Sequence, residues 1–118
     1  MTIDSIQSFD AFHAHVYFDA ETTDQAKALC TSAGGHFDIE VGRHHEKPVG
    51  PHPCWSCQLA FTQDSFFSLI TWLEDNRDGL TIFIHGLSGD DLADHTDHVA
   101  WLGNAVALKL DIFKPKPK

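Results

Sequence analysis

His13-Ala14-His15-Val16-Tyr17-Phe18 alternates without a break, and the reading of the chain turns on that alternation. Side chains point to opposite faces of a strand at every other residue. Ala14, Val16 and Phe18 therefore share a face suited to a core, while His13, His15 and Tyr17 share the other. A strand with one merely wetted face could use Thr, Lys or Ser there. Two imidazoles and a phenol point instead to a metal or to a proton that has to be moved.

Working outward, residues 11–18 form the first strand. Thr22-Thr23-Asp24-Gln25 reads as a capping box opening a helix with Ala26, Leu29, Cys30 and Ala33 on one face and Gly34-Gly35 as its stop. Residues 36–41 alternate as a second strand with Phe37, Ile39 and Val41 toward the core. Residues 42–53 hold three prolines, two glycines and three histidines, which predicts a long loop. Residues 55–61 make a third strand, and Thr62 caps a second helix that repeats Phe66, Leu69, Ile70 and Leu73. A fourth strand over 80–85 turns Leu80, Ile82 and Ile84 inward and Thr81, Phe83 and His85 outward. Asp90 or Asp91 then caps a short helix running through Trp101, and residues 105–113 form a last strand with Val106, Leu108, Leu110 and Ile112 in register.

The order βαββαβ plus a terminal helix and strand predicts an α+β fold, a ferredoxin-like split βαβ sandwich with an antiparallel sheet and both long helices on one face. One domain is expected over 1–118, with its core at about 11–113; residues 114–118, Lys-Pro-Lys-Pro-Lys, form an extended tail. In the strand order 4-1-3-2, strands one and three are expected to run parallel, with strand four antiparallel beside strand one. The starts of one and three and the end of four would then meet at one edge, carrying His13, His15, His52 and His85 together.

The charge of −9, from 17 acidic and 8 basic residues, disfavours nucleic acid and anionic membrane as partners. No apolar run is long enough to span a bilayer and the N-terminus lacks the features of a signal peptide, so a cytoplasmic protein is expected. Three cysteines in a chain with its own core argue against a disulfide scaffold. Cys54-Trp55-Ser56-Cys57 has redox spacing, yet a strand follows it, so buried apolar cysteine is the better reading.

Among the nine histidines, His13, His15, His52 and His85 are the best candidate metal site, because neutral imidazole suits iron, zinc and copper. Asp38 or Glu40 could add a carboxylate. In the stretch Asp90-Asp91-Leu92-Ala93-Asp94-His95-Thr96-Asp97-His98, acidic neighbours raise imidazole basicity, which suits His95 as a general base. His44-His45 reads as a solvated loop pair.

His13-Ala14-His15-Val16-Tyr17-Phe18, Gly50-Pro51-His52-Pro53, the stretch from Gly89 to Thr96 and Trp101-Leu102-Gly103 together resemble the fungal-type DOPA 4,5-dioxygenase family over about residues 11–113. The resemblance implies an extradiol-type, ring-cleaving dioxygenase on a ferredoxin-like domain, using non-haem Fe(II) and molecular oxygen on a catechol, with Zn as a substitute metal. Its matching positions are His13, His15, His52, His85 and His95. Members favour His-Pro-x-Thr-Gly-Asp where this chain has His85-Gly86-Leu87-Ser88-Gly89-Asp90, which frees the turn after His85 and bears on substrate preference. On this reading His15, His52 and His85 are the metal ligands with His13 as an alternate. His95, and His13 when not a ligand, serve catalysis. Tyr17, Trp55, Phe83 and Ser88 bind the substrate. A homodimer is expected, because a sheet with helices on one side leaves apolar surface such as Phe83 to be covered. The rival readings are a non-enzymatic dimeric ferredoxin-like binding module and a zinc-dependent enzyme acting on a non-catechol substrate.

Overall fold

A five-stranded sheet carries the molecule, and its central strand is the histidine strand, β1 (Ala11–Phe18). The computed structural model describes residues 1–113, so the expected tail at 114–118 lies outside the described residues. In chain order the elements are α1 (Ile3–Gln7), β1, α2 (Thr23–His36), β2 (Glu40–His45), β3 (Trp55–Thr62), α3 (Phe66–Asn76), β4 (Ile82–Gly86), α4 (Asp91–Asp94) and β5 (Val99–Leu102). Across the sheet the order is β2-β3-β1-β4-β5, and every neighbouring pair is antiparallel. The α+β class and the antiparallel sheet are as expected.

The relation between β1 and β3 is not as expected. They run antiparallel, with Ala11 opposite Thr62 and Phe18 opposite Trp55. The start of β3 therefore lies beside the end of β1, and His52 cannot reach the His13 end of the sheet along a strand. The reason is topological: α2 returns the chain so that β2 runs in the direction of β1, and the β2–β3 hairpin then reverses it.

One face of the sheet packs Phe12, Ala14, Val16, Leu59, Ile82 and Ile84 against the helices. The faces of α2 and α3 are as expected: Ala26, Leu29, Cys30 and Ala33 on one, and Phe66, Leu69 and Leu73 on the other, are buried. Thr22 makes no side-chain cap bond to α2; its hydroxyl donates instead to Asp19 Oδ1. The helix also continues through Gly34-Gly35 to His36, the first residue of the expected second strand, and β2 runs instead over Glu40–His45. Gly34 answers a close approach rather than a stop, since a Cβ there would lie 2.8 Å from Val41 Cγ2.

Two corrections fall at the C-terminal end. The helix expected through Trp101 is a single turn, capped where Asp90 Oδ1 accepts from the Ala93 N–H at 3.1 Å. The run Val99-Ala100-Trp101-Leu102 joins the free edge of β4 instead, pairing Trp101 with Phe83. Residues 105–109 then form no ladder, and Leu110–Phe113 is a 3₁₀ turn. The alternation at Val106, Leu108 and Leu110 survives as partial burial, because this segment lies across the rest of the chain rather than in the sheet. Its Lys109 N–H donates to Pro51 O at 2.8 Å.

That segment, the 46–54 loop and α4 cover much of the second sheet face. Phe83, expected to be left for a partner copy to cover, is fully buried by this chain itself. Among the described residues no helix is long and apolar enough to cross a membrane.

Candidate metal centre

Register brings the histidines together. His13 is directly opposite His85 in the β1–β4 ladder, and His15 lies one pleat along the same face, opposite Phe83. Side-chain donor atoms of His13, His15 and His85 all lie within 4.8 Å of one another. His15 Nε2 stands 3.1 Å from His85 Nε2.

The tautomer of His85 follows from its second nitrogen. Nδ1 is 3.0 Å from Gly86 O, and a carbonyl can only accept, so Nδ1 carries the hydrogen and Nε2 presents a lone pair in the neutral ring. Two nitrogens bound to one ion at about 2.0–2.1 Å stand about 3 Å apart when they are neighbours in its shell, so the His15–His85 spacing fits a shared ion. Electrostatics agree. Burial holds His85 and His52 down to about 4, with neighbouring imidazoles adding to the effect, while Asp94 and the Gly86 bond oppose it at His85. His15 is pushed well below its usual value by burial and then by His52, His85, His13 and His95, and His13 is lowered mainly by burial. At neutral pH these rings are uncharged donors, the form a metal requires.

His52 arrives by the loop rather than by β3. Its ring lies 4.1 Å from that of His15, and its Nδ1 is 2.7 Å from the Tyr17 hydroxyl. Burial raises the Tyr17 pKa, which keeps the phenol protonated. His52 is not among the three residues whose donor atoms converge. His95 ends α4, with Nδ1 donating to Asp91 O at 2.7 Å, and its ring packs between His85 at 4.5 Å and Phe113 at 4.7 Å. The histidines surround a cavity of about 240 Å³, which Gln58, Leu87 and Phe113 also line.

The expected substrate residues divide. Phe83 lies beneath His15 and His85 and stacks on Trp101 at 4.7 Å. Tyr17 reaches the centre through His52. Trp55 is not brought to it: it pairs with Phe18 and packs against the core cluster on the other face. Ser88 is engaged elsewhere, its Oγ donating to Asp94 Oδ1 at 2.6 Å and its N–H to both carboxylate oxygens.

Sequence reasoning did not single out Asp94, which is 2% exposed and fastens α4, and hence His95, to the turn after β4. It also placed Phe113 in a strand rather than at this cavity. Neither position carries a local signal beyond a carboxylate among several and an aromatic in an alternating run. His44, read as solvated, instead stacks on Phe18 at 4.2 Å with its Nε2 2.8 Å from Thr23 Oγ1. Cys30, Cys54 and Cys57 are all free thiols.

Known proteins resemble the chain along nearly its whole length. A crystal structure from Nostoc punctiforme, described as a candidate dioxygenase, superposes with a TM-score of 0.86 at 41% identity, covering 89% of this chain and 91% of that one. A DOPA 4,5-dioxygenase of Amanita muscaria is 28% identical over 108 residues, 84% of this chain and 47% of that protein. An uncharacterised 21.2 kDa protein of Botryotinia fuckeliana is 31% identical over 116 residues, 88% of this chain and 63% of its own length. The chain thus spans about half to three-fifths of these two curated relatives. The Dopa 4,5-dioxygenase family matches residues 12–112, nearly all of the described chain, and the chain belongs to that family.

Proposed function

We propose that this chain is an extradiol-type dioxygenase that opens the ring of a catechol with molecular oxygen at a non-haem Fe(II). The observation that carries the reading is the convergence of three neutral imidazole donors, His13, His15 and His85, beside a cavity on the sheet. Membership of the family and the likeness to a candidate dioxygenase support it. His15 and His85 are the firmest ligands. His13 is the third in place of the expected His52, whose Nδ1 is taken up by Tyr17.

Iron at these nitrogens supplies Lewis acidity to the catechol oxygens and redox chemistry to oxygen. The chain's own groups do the rest. His95, with Nδ1–H tied to Asp91 O, keeps Nε2 free to take a proton from a catechol hydroxyl. Tyr17, kept protonated, donates to His52 Nδ1, so that His52 presents its Nε2–H as a hydrogen-bond donor to a substrate oxygen. Phe83 forms an apolar floor, and Phe113 with Pro51 limits water entry. The three free thiols suit a reducing compartment, in line with a cytoplasmic location.

The test is Fe(II) loading under argon, followed by a catechol panel with oxygen-electrode and absorbance readings. Stoichiometric oxygen uptake with a yellow ring-opened semialdehyde is expected, and chelator should abolish it. Iron retained without oxygen uptake on any catechol would overturn the reading, and activity supported by zinc on a non-catechol would replace it.

A further inference from the structure

α4 is a single turn, too short to hold itself in place, so its position is set by what fastens it. Apolar packing does not fasten it: Leu92 is exposed, Ala93 is half-buried, and of its residues only Asp94 is buried. The Asp94 carboxylate accepts the Ser88 hydroxyl at 2.6 Å on Oδ1 and the Ser88 N–H on both oxygens at 3.1 and 3.0 Å. Ser88 Oγ in turn accepts the Asp90 N–H at 3.2 Å, and Asp90 caps the turn. These bonds close a ring, with Gly89 at φ 95° supplying the left-handed residue that the reversal needs. One end of the ring follows His85 in the chain, and the other immediately precedes His95.

Hydrogen bonds are directional where apolar contact is not, so this buried carboxylate fixes the orientation of α4 as well as its distance from β4. The side chain so oriented is His95. Its ring stands 4.5 Å from that of His85, and its Nδ1–H is tied to Asp91 O, which leaves Nε2 free at the cavity. Resting on the dioxygenase reading above, in which His95 takes the catechol proton, we propose that Ser88 and Asp94 are positioning residues: the contact between them sets where His95 Nε2 stands, and they act on turnover through His95 alone. His13, His15 and His85 are held by the β1–β4 ladder, so loosening α4 leaves the metal donors in place. A general base must lie within hydrogen-bond reach of the proton it takes, and a misplacement of about 1 Å can cost about 10²-fold in rate.

Turnover of a catechol by the Fe(II)-loaded chain is measured for Ser88→Ala, Ser88→Thr and Asp94→Ala, each alone and combined with His95→Ala. The kcat should fall about 10²-fold in Asp94→Ala and about ten-fold in Ser88→Ala, while KM and iron content change by no more than about two-fold. Ser88→Thr, which keeps the hydroxyl, should lie closer to the parent than Ser88→Ala does. Once His95 is replaced, adding either alanine change should cost no more than about two-fold, because the group they position is gone. In the diamagnetic Zn(II)-loaded protein, the His95 imidazole proton resonances, shifted by the rings of His85 and Phe113, should move toward those of free histidine in both alanine variants. Losses that multiply with that of His95→Ala, an unmoved His95 resonance, or full activity in His95→Ala overturns the inference and leaves the dioxygenase reading standing. Ser88→Ala decides the matter alone if Asp94→Ala does not fold. If the parent turns over no catechol, the dioxygenase reading fails and the inference falls with it.

Discussion

Acid should unfold the metal-free protein in a window set by its buried histidines. His85 is 2% exposed, and burial holds its pKa at about 4 against an ordinary 6.5. The folded value lies below the unfolded one, so between those values the unfolded chain binds more protons than the folded chain. Stability is therefore fully present above about 6.5 and is lost as the pH falls toward 4. At 1.36 kcal/mol per pH unit, that gap makes His85 alone responsible for about 3 kcal/mol. His52 is held at about 4 by the same cause and adds a loss of similar size. Set against the roughly 5–15 kcal/mol that hold a domain folded, the two account for much of the total. The assay is urea unfolding followed by circular dichroism in chelator, from about pH 7 to about pH 4, on the parent protein and on His85→Gln, whose amide cannot ionise. The variant should lose about 3 kcal/mol less than the parent over that range. Parallel stability curves would refute the argument, because they would mean that His85 takes up its proton as readily in the folded chain as in the unfolded one.

Metal content of the histidine variants separates ligands from neighbours: His15→Ala and His85→Ala should lose iron with far-UV circular dichroism intact, His13→Ala should follow them, and His52→Ala should retain it. Loss from His52→Ala with retention in His13→Ala would exchange the third ligand. His95→Ala should keep its iron and still bind catechol while turnover falls by roughly 10² to 10⁴, and full activity would return His95 to a bystander. Leu69→Ala or Leu73→Ala, both fully buried, should cost about 2–5 kcal/mol in denaturant titrations. Glu74→Ala, which removes only a surface ion pair to Arg77, should change stability by no more than about 1 kcal/mol, and equal effects would contradict the orientation of α3. Gly86→Ala would put a methyl group 2.7 Å from the Phe9 ring, so a loss of about 1–3 kcal/mol is expected; an unchanged melting temperature would show that Phe9 moves aside freely.

Periodicity made the sheet legible where one face alone was core. β1 is found where its alternation placed it, and the buried positions of α2 and α3 match their helical spacing. The misreadings share a cause: a local pattern whose meaning was fixed by a partner elsewhere. Gly34 looks like a helix stop until Val41 lies against it. Val99-Ala100-Trp101-Leu102 continues a helical pattern until the open edge of β4 takes it. The alternating run at 105–113 implied a strand, but its backbone is tied at Lys109 to the loop carbonyl of Pro51 instead of to a sheet edge. At the site, convergence of His13, His15 and His85 follows from facing strands, which sequence patterns encode well. His52 comes by a loop, and no periodicity reports where a loop lays its side chains. The opposite placement of Trp55 follows from its pairing with Phe18, a register that the expected parallel β1–β3 arrangement had obscured.

The Lys109–Pro51 bond has a consequence for how the centre is entered. It joins two segments that are not in the sheet, and the contact of Phe113 with His95 likewise involves no ladder strand. Peeling the C-terminal segment away would therefore uncover the histidines without breaking a single pairing of β1 with β3 or β4. Access can be a fluctuation far cheaper than unfolding, and amide exchange at Lys109 would be its clock, running faster than exchange at any residue of β1. The ladders of β1 hold the donors in place, and the segment that lies over them is fastened outside those ladders.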